Sequence, residues 1–487
     1  MTVLILSRFR PLVQITVINS SHSFKQVIRN PSIRSFVYKF NRNESIPNQT
    51  ILLQHKYWNA SDSRKYMSLL HWIRRRRRIK NPSIFFIGFS AMSLLLAIEF
   101  FYDKFRRSGL SLTEYFRSST SKDSKLIAEL NDDQLSEKFE TRYASILNES
   151  EIPKLKPSRI VPGTIALDDL KLTLFQYQNC PFCCKVRTFL DYYGLPYEII
   201  EVNPVMRQQI KFSKHYGKVP ILLVTDLKGS SHDEILQIND STLIVSAMNS
   251  YLLSKNPKSR HNGESITNMM RWYLNSHVLS NELEENEKDK DGSTYGATRS
   301  NAELINRYFL MIGDVDQRKY EKIDPLLAQD RRWRRWVDDH LVHVLSPNIY
   351  RTMDEAFDSF DYFAKVSEWD QIFSKWEIMI ITNVGAMAMY MIGKRLKKKY
   401  RLKEDVRQSL YDSCNYWLKA IGPDRKFMGG DTPSLSDLTV YGVLSSIEGC
   451  EAFSDLIKNT KLSEWYYSVK SMVNEHRGAN DIQHLFG

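Results

Sequence analysis

Short apolar runs alternate with helical patterns in the middle of the chain. Three runs rich in β-branched and aromatic residues predict strands at 172–177, 197–202 and 219–224. Apolar residues at helical spacing predict three helices, at 180–193, at 205–215 and from Asn239 onward. Gly194 stops the first of these helices, and Asp240 or Ser241 is the expected N-cap of the third.

The pattern changes at about Ser254. Strand signals vanish beyond it and helical patterns dominate, apart from an acidic, turn-rich insertion near 282–301. The sequence therefore predicts a small α/β domain at 170–254, followed by an all-helical domain at 255–487.

Basic residues are concentrated near the N-terminus. The net charge is +12, but residues 1–107 hold 19 Lys and Arg against 4 Asp and Glu, which leaves 49 basic and 52 acidic residues in 108–487. A nearly neutral body argues against nucleic acid as a partner. Residues 1–42 hold seven basic residues and no acid, with Ser and apolar residues between them, a composition typical of a mitochondrial presequence. We interpret 1–73 as a basic targeting or disordered region; the alternative for 1–42 is a basic tail without a targeting role.

Residues 84–102 form a long apolar run in which Glu99, near one end, is the only charged residue. Nineteen residues at about 1.5 Å each nearly cross the roughly 30 Å of bilayer hydrocarbon. Basic clusters flank the run at 74–78 and 104–107, so 74–107 predicts a single-pass membrane anchor. The alternative is a buried helix of a soluble domain. Residues 108–169 are interpreted as a tether with a helix near 123–147, and we expect the body to begin near Leu170.

The five cysteines are too few and too unevenly spaced for a disulfide-stapled secreted fold, which favours a reducing compartment. Cys180 and Cys183 form a Cys-x-x-Cys pair directly after the first predicted strand. A thiol at a helix N-terminus faces unpaired N–H groups that favour the thiolate. No second pair at ligand spacing accompanies them, so we expect no metal site. Cys414 and Cys450 lie in apolar helical contexts and are expected to be core thiols.

Several motifs carry a family resemblance. Cys180-Pro181-Phe182-Cys183, Lys218-Val219-Pro220 and Asn239-Asp240-Ser241, in this order, resemble the glutathione-binding half of a glutathione transferase or glutaredoxin. The segment 427–441 resembles the helical half of a glutathione transferase, with Ser434 and Asp437 at capping-box spacing. More closely, 172–467 resembles the membrane-associated prostaglandin E synthase 2 family, whose own motifs match 336–343, 346–352 and 393–402. The resemblance implies a thioredoxin-like α/β domain and a glutathione transferase-like all-α domain. Cys184, a third adjacent thiol, and the long segment near 282–300 depart from the family.

The resemblance also implies a function. The chain is expected to be a glutathione-dependent isomerase that converts prostaglandin H2, a lipid endoperoxide, to prostaglandin E2, with the Cys180 thiolate attacking the endoperoxide or activating the thiol of glutathione. Tyr177 is the candidate hydrogen-bond donor to the thiolate, and Phe182 is expected to shape the site. For both side chains the alternative is ordinary packing.

Glutathione is the expected cofactor. In thioredoxin-like folds the proline of such a Val-Pro pair is cis, and the residue before it pairs with an extended peptide, so Val219 and Pro220 are expected to bind glutathione. Asp240 and Ser241 would receive its γ-glutamyl end at a helix N-terminus. The alternative for Asp240 is an ordinary N-cap.

A second group of residues is assigned to a haem or substrate pocket by the resemblance alone. His340, His343 and Ser346 fall on one face of a predicted helix, and a basic run contains Arg395, Lys399 and Arg401. The family can bind haem together with glutathione and then breaks the endoperoxide down to a hydroxy fatty acid and malondialdehyde. The alternative is a solvated basic face and one hydrogen-bonded histidine.

Two further function classes stay open beside the isomerase. Cys183 as a resolving thiol would give a glutaredoxin-like thiol–disulfide oxidoreductase. A glutathione–haem binding module, with or without breakdown of the endoperoxide, is the other. The resemblance implies a homodimer, and the N-terminal region predicts a mitochondrial or Golgi membrane location, with a soluble processed form as a further expectation.

Overall fold

The computed structural model describes residues 2–9, 12–19, 36–39, 142–227, 234–256, 264–275, 305–310 and 325–482. The chain divides into two compact units, Met1–Lys80 and Asn81–Gly487. The predicted anchor at 84–102 and the insertion near 282–301 lie outside the described residues.

The first unit contains a small antiparallel sheet. Its strands are β1 (Thr2–Phe9), β2 (Leu12–Asn19) and β3 (Phe36–Lys39), in the order β2-β1-β3. The β-branched residues of β1 and β2 favour the extended backbone. Regular strands were not expected in this region, and its targeting role stays a prediction.

The second unit opens with a mixed six-stranded sheet in the order β4-β9-β8-β6-β7-β5. The strands are β4 (Ala144–Asn148), β5 (Arg159–Val161), β6 (Leu170–Gln176), β7 (Tyr197–Glu201), β8 (Ile221–Asp226) and β9 (Glu234–Asn239). Strands β6 and β7 are parallel, and the other pairs are antiparallel. The three predicted strands are confirmed as β6, β7 and β8.

Two expectations about the start of this unit are wrong. The sheet begins at Ala144 rather than near Leu170, because β4 pairs with β9 and β5 pairs with β7. The helix expected near 123–147 does not extend to its predicted end, since Ala144 lies opposite Ile238 in the sheet. These strands are set by partners far along the chain rather than by a local pattern.

The helix expected at 205–215 is also wrong. Only a short 3₁₀ turn, Gln208–Ile210, forms there. The Asn203 side-chain oxygen accepts hydrogen bonds from the N–H groups of Val205 and Met206, at 3.0 and 2.9 Å, and Arg207 has a left-handed backbone with φ of 51°. Both features favour a turn over a continuous helix.

Helices make up the rest of the described second unit. They are α1 (Pro181–Tyr192), α2 (Ser241–Ser254), α3 (Ile266–Asn275), α4 (Pro325–Trp336), α5 (Val342–Ile349), α6 (Met353–Val366), α7 (Trp369–Ile372), α8 (Lys375–Lys399), α9 (Val406–Ile421), α10 (Leu435–Ser445), α11 (Glu451–Asn459), α12 (Leu462–Asn474) and α13 (Ala479–Ile482). A 3₁₀ turn at Ile305–Tyr308 precedes α4, and a π turn, Val337–Leu341, joins α4 to α5. A thioredoxin-like α/β domain followed by a helical region is confirmed.

The sheet has an apolar cluster on each face. Leu172 and Leu174 of β6 pack with α1, α2 and α3, whereas Phe175 packs in a smaller cluster with Cys183. This division follows from the alternation of side chains along a strand. The first turn of α1 therefore lies at the edge of both apolar clusters.

Helix α10 joins the two halves by lying against α1. A Cβ atom at Gly442 would lie 2.9 Å from Lys185 Cα and 3.1 Å from the Cys184 carbonyl oxygen, so only glycine permits this approach. Lys185 Nζ, almost fully buried, donates to Asp338 Oδ1 at 2.5 Å and to Thr242 Oγ1 at 2.7 Å. The contact between the halves is thus close and contains a buried ion pair.

Asp437 anchors the N-terminus of α10. Its buried carboxylate accepts hydrogen bonds from five donors at 2.9–3.1 Å: the N–H groups of Met428, Gly429 and Ser434, the Ser434 hydroxyl and the indole nitrogen of Trp465. The capping box with Ser434 predicted from the sequence is confirmed.

Helix α8 is, by length and composition alone, long and apolar enough to cross a membrane. One of its faces packs on the protein, with Ile381, Thr382, Ala386 and Gly393 buried.

Asp437→Ala should lower the free energy of unfolding by about 3–5 kcal/mol, because five buried or partly buried donors lose their acceptor. Urea denaturation followed by circular dichroism measures the loss. Asp412→Ala is the control; it removes a largely exposed carboxylate that pairs with Lys403, and it should cost under about 1 kcal/mol. Equal losses in the two variants would contradict the anchoring role of Asp437.

Candidate active site

Cys180 lies between β6 and α1 as the N-cap residue of α1. Its N–H donates to the Tyr177 carbonyl at 3.1 Å, and its own carbonyl accepts from the Cys184 N–H at 2.9 Å. Pro181, which has no N–H, occupies the first turn, where no intrahelical partner is needed. The expected thiol at a helix N-terminus is therefore present.

The three neighbouring thiols differ in acidity. A hydrogen bond from the Cys183 side chain lowers the pKa of Cys180, with further help from the N–H groups of Cys183 and Phe182 and from the Arg187 charge. Burial raises the pKa of Cys183 well above its ordinary value and also raises the pKa of Cys184. Cys180 is partly exposed, whereas the other two thiols are buried. Cys180 is thus the nucleophile that this arrangement favours.

All five cysteines are described, and each is a free thiol. Cys414 and Cys450 are buried, and burial raises the pKa of each to about 12, as expected for core thiols. Within the described ranges no three His, Cys, Asp or Glu residues are grouped so that they could hold a metal ion.

A buried guanidinium lies beneath the thiol turn. Arg187 Nη2 donates to the Gln178 carbonyl at 2.7 Å and to Cys184 Sγ at 3.1 Å, and Nη1 donates to Gln176 Oε1 at 2.5 Å. Burial opposes the charged form, but interactions with the acidic groups around it, Cys184 first and then Tyr197, Cys183 and Asp191, raise the pKa of Arg187 overall. A fixed positive charge therefore lies close to Cys180 and holds the turn that presents it.

Glu201, at the end of β7, holds the same turn from the other side. Its carboxylate accepts from the Gln178 N–H at 2.7 Å and from Gln176 Nε2 at 3.1 Å, and Arg159 lies 3.4 Å away. Burial raises its pKa. Sequence reasoning missed both Arg187 and Glu201. The available signals were Arg187 seven residues after Cys180, hence on the same helix face, and an acid in a buried strand.

Tyr177 and Phe182 flank the thiol. Burial raises the pKa of Tyr177 to about 12, with Cys180 adding to the rise and Arg207 opposing it, so the phenol is protonated at neutral pH. Its buried hydroxyl lies close to the Arg207 guanidinium, which can donate to the phenol oxygen but cannot accept the phenol proton. Phe182 is half-buried against the helical core, and Lys185 Nζ lies 5.8 Å from its ring centre.

The expected glutathione residues come together on the same side. The Val219–Pro220 bond is cis, and Val219 packs in one apolar cluster with Cys183, Cys180 and Tyr216. Burial raises the pKa of Tyr216, and the charges of Asp240, Cys183 and Cys180 add to this rise, which indicates that these groups are close to one another.

Asp240 has an unusual backbone and several partners. Its φ is 72°, a region that non-glycine residues rarely adopt. The carboxylate accepts from the N–H groups of Thr242 and Leu243, at 2.9 and 3.2 Å, and pairs with Arg307 at 2.9 Å. Ser241 beside it is buried. The predicted N-cap is confirmed, and Asp240 additionally belongs to a charge pair that the sequence did not indicate.

The residues assigned to a haem or substrate pocket are spread over more of the structure than the residues around Cys180. His340 Nε2 lies 2.9 Å from Ser413 Oγ on α9, and burial lowers its pKa. His343 stacks on Tyr400, just after α8, with ring centres 4.1 Å apart. The π turn that joins α4 to α5 contains His340, whereas His343 lies in α5, and the two histidines contact different elements.

The rest of this group lies along α5 and α8. The Ser346 carbonyl lies near Gly393, whereas Arg395, Lys399 and Arg401 are exposed. Burial raises the pKa of Tyr350, with Cys450 and Cys180 adding to the rise, so the C-terminal end of α5 faces the thiol. His340 lies ten residues earlier, about 15 Å along the helix axis. The described contacts do not bring the histidines to Cys180.

Arg187→Met should raise the pKa of Cys180 and slow its alkylation by iodoacetamide several-fold at neutral pH, because a nearby positive charge is lost. The pH dependence of labelling at Cys180, followed by peptide mass spectrometry, measures the shift. Arg187→Lys keeps the charge and should restore much of the reactivity. If both variants label as the unaltered protein does, Arg187 has no influence on the thiol.

Comparisons with known proteins match the part of the chain that contains the six-stranded sheet and the helical region. A family model described as "Glutathione S-transferase, N-terminal domain" matches residues 174–257. Prostaglandin E synthase 2 of Danio rerio is 43% identical over 298 residues, which cover 61% of this chain and 70% of that protein. Prostaglandin E synthase 2 of Mus musculus is 39% identical over 318 residues, covering 65% and 73%.

Solved structures match more distantly. A glutathione transferase family member from Pseudomonas fluorescens, with two glutathione bound, is 13% identical at a TM-score of 0.27, covering 64% of this chain and 94% of that one. A TM-score this low does not identify a family, so the family assignment rests on the two relatives found by sequence. The chain belongs to the prostaglandin E synthase 2 family.

Proposed function

We propose that this protein is a prostaglandin E synthase, a glutathione-dependent isomerase that converts prostaglandin H2 to prostaglandin E2 with Cys180 as its nucleophile. The observation that carries the proposal is the contrast among the three thiols: Cys180 is partly exposed with a lowered pKa, whereas Cys183 and Cys184 are buried with raised pKa values. The names of the two relatives support the substrate.

The proposed reaction proceeds without net oxidation or reduction. The Cys180 thiolate attacks the C9 oxygen of the endoperoxide, so that an S–O bond forms, the O–O bond breaks, and the C11 oxygen takes a proton to become a hydroxyl. A base then removes the C9 proton, a C9 ketone forms, and the S–O bond breaks to return the thiolate.

Tyr177 and Arg187 support this chemistry in different ways. The neutral Tyr177 hydroxyl is buried beside the Arg207 guanidinium, which leaves the phenol proton available to donate a hydrogen bond to the thiolate or to a reacting oxygen. Arg187 is a positioning residue, which holds the turn at Gln178 and supplies positive charge beneath the sulfur. Phe182 contributes an apolar wall.

Glutathione fits the side of the site formed by Val219, Pro220, Asp240 and Ser241. The strained backbone of Asp240 and its partly exposed carboxylate, next to the N-terminus of α2, match the ammonium and carboxylate of a γ-glutamyl group. Bound glutathione would supply a second thiol beside Cys180. In this arrangement Asp240 binds the ammonium group while it caps α2.

A thiol–disulfide oxidoreductase is the second candidate, and one observation favours it. Cys183 hydrogen-bonds to Cys180, the arrangement that a resolving thiol needs. Haem binding through His340, His343, Ser346, Arg395, Lys399 and Arg401 stays a prediction of the family resemblance, as do the homodimer, the anchor at 84–102 and the mitochondrial or Golgi membrane.

Cys180→Ser should abolish formation of prostaglandin E2 from prostaglandin H2 above the spontaneous background, because serine is not ionised at neutral pH. Mass spectrometry of products, in the presence of glutathione and without added haem, measures it. Cys183→Ser should keep most of the isomerase activity, whereas a disulfide oxidoreductase would lose its reductase activity in both variants. Equal product from Cys180→Ser and the unaltered protein would exclude the isomerase mechanism.

Asp240→Asn should weaken glutathione binding about tenfold or more, since a charge-assisted hydrogen bond to the ammonium is lost while asparagine still caps the helix. Isothermal titration calorimetry measures the affinity. Asp405→Asn is a matched control, because Asp405 caps α9 through the Arg407 N–H at 2.9 Å. A glutathione affinity unchanged by Asp240→Asn would rule out this role for Asp240.

A further inference from the structure

Helix α8 exposes an apolar face along its outer side. The side chains of Trp376, Met379, Met387 and Met391 are 53%, 47%, 43% and 58% exposed. The opposite side of α8 packs on α5 and α6. Large apolar side chains that recur at helical spacing on an exposed face mark an interaction surface rather than isolated exposure.

Positive charge continues this face toward the C-terminal end of α8. Lys394 and Lys398 follow Met387 and Met391 at seven-residue intervals, so they lie on the same side, and both are exposed. From 375 to 403 the chain has eight basic residues, whereas Glu377 is the only acid. Cations in the last turn of a helix stabilise it by interacting with its dipole. This effect explains neither the exposed Lys394, which lies before the last turn, nor the exposed apolar residues before it.

We propose that the outer face of α8 is a docking surface for an anionic lipid bilayer. Trp376 and the three methionines enter the boundary between headgroups and acyl chains, while Lys394 and Lys398 contact the headgroups. A helix with one apolar face, an interfacial tryptophan and a cluster of lysines has the chemistry that binds such surfaces. This contact does not depend on the proposed isomerase activity.

Charge favours a lipid surface over a second copy of the chain. Two α8 helices packed together would each bring five basic residues in excess of acids. Glu404 just after α8 offsets Lys397 at 3.3 Å, and Glu377, the acid within α8, already accepts hydrogen bonds from the Ser374 N–H at 2.9 Å and from Asn203 Nδ2 at 3.0 Å. An anionic bilayer supplies the complementary charge and accommodates flexible methionine side chains without a shaped groove.

Hydroxyl-radical footprinting of the full-length protein tests the proposal. The protein is reconstituted in vesicles of phosphatidylcholine alone or of phosphatidylcholine with phosphatidylserine, and side-chain oxidation is measured by mass spectrometry. The protein is inserted in both kinds of vesicle, so a difference in side-chain oxidation between them reports the effect of anionic lipid. Oxidation of Met379, Met387 and Met391 should fall several-fold with phosphatidylserine and recover at high salt, as screening predicts. Tyr467 on α12, 48% exposed, should not change.

Charge-reversal variants sharpen the test. Lys394→Glu combined with Lys398→Glu should abolish most of the several-fold protection by phosphatidylserine, because two lysines at the surface become acids. Lys419→Glu combined with Lys458→Glu makes the same change at exposed lysines outside α8 and should leave the protection intact.

Three results would overturn the proposal. The first is equal oxidation of the three methionines in the two kinds of vesicle. The second is protection that rises with protein concentration in the absence of lipid, which would assign the face to a second copy. The third is full protection by soluble polyglutamate, which would assign it to an acidic protein.

Discussion

The buried ion pair between Lys185 and Asp338 fixes the helix on which the thiol depends. Lys185 lies five residues after Cys180 on α1, and its ammonium group also bonds to Thr242 on α2. Asp338 belongs to the π turn of the helical half, so one cation ties both domains to the thiol helix. A buried pair is expensive to form and costly to break, and its main effect is to select one arrangement of the halves.

Competition between burial and positive charge sets the reactivity of the site. Burial alone would raise the pKa of every thiol in the cluster, as it does for Cys183 and Cys184. Cys180 differs because it lies at the N-terminus of α1, accepts hydrogen bonds and is close to Arg187. The acids and amides around Arg187 matter for the same reason, since an unsupported guanidinium would be driven out of the interior. Reactivity thus depends on residues from β6, β7 and α1 together.

Local signals explain what the sequence alone could predict. The strands β6–β8, the thiol at the start of α1, the Asp240 cap and the Ser434–Asp437 capping box each depend on a few neighbouring residues. Strands β4 and β5 were missed because they form only by pairing with β9 and β7. The prediction of a helix at 205–215 was wrong because the Asn203 side chain accepts hydrogen bonds from the N–H groups of Val205 and Met206. The π turn that contains His340 could not be predicted, because such a turn is not visible in apolar spacing.

The close approach at Gly442 restricts how this fold can diversify. Helix α10 touches the backbone of α1 at Lys185, so any side chain at position 442 would push the two helices apart and displace the sulfur from its setting. Substitutions at this contact are therefore restricted, because they would move the helix that presents Cys180. The surface of α10 around Gly442 is therefore constrained in evolution. New substrate ranges must be acquired through helices that face the thiol without touching the backbone of α1, such as the end of α5 at Tyr350.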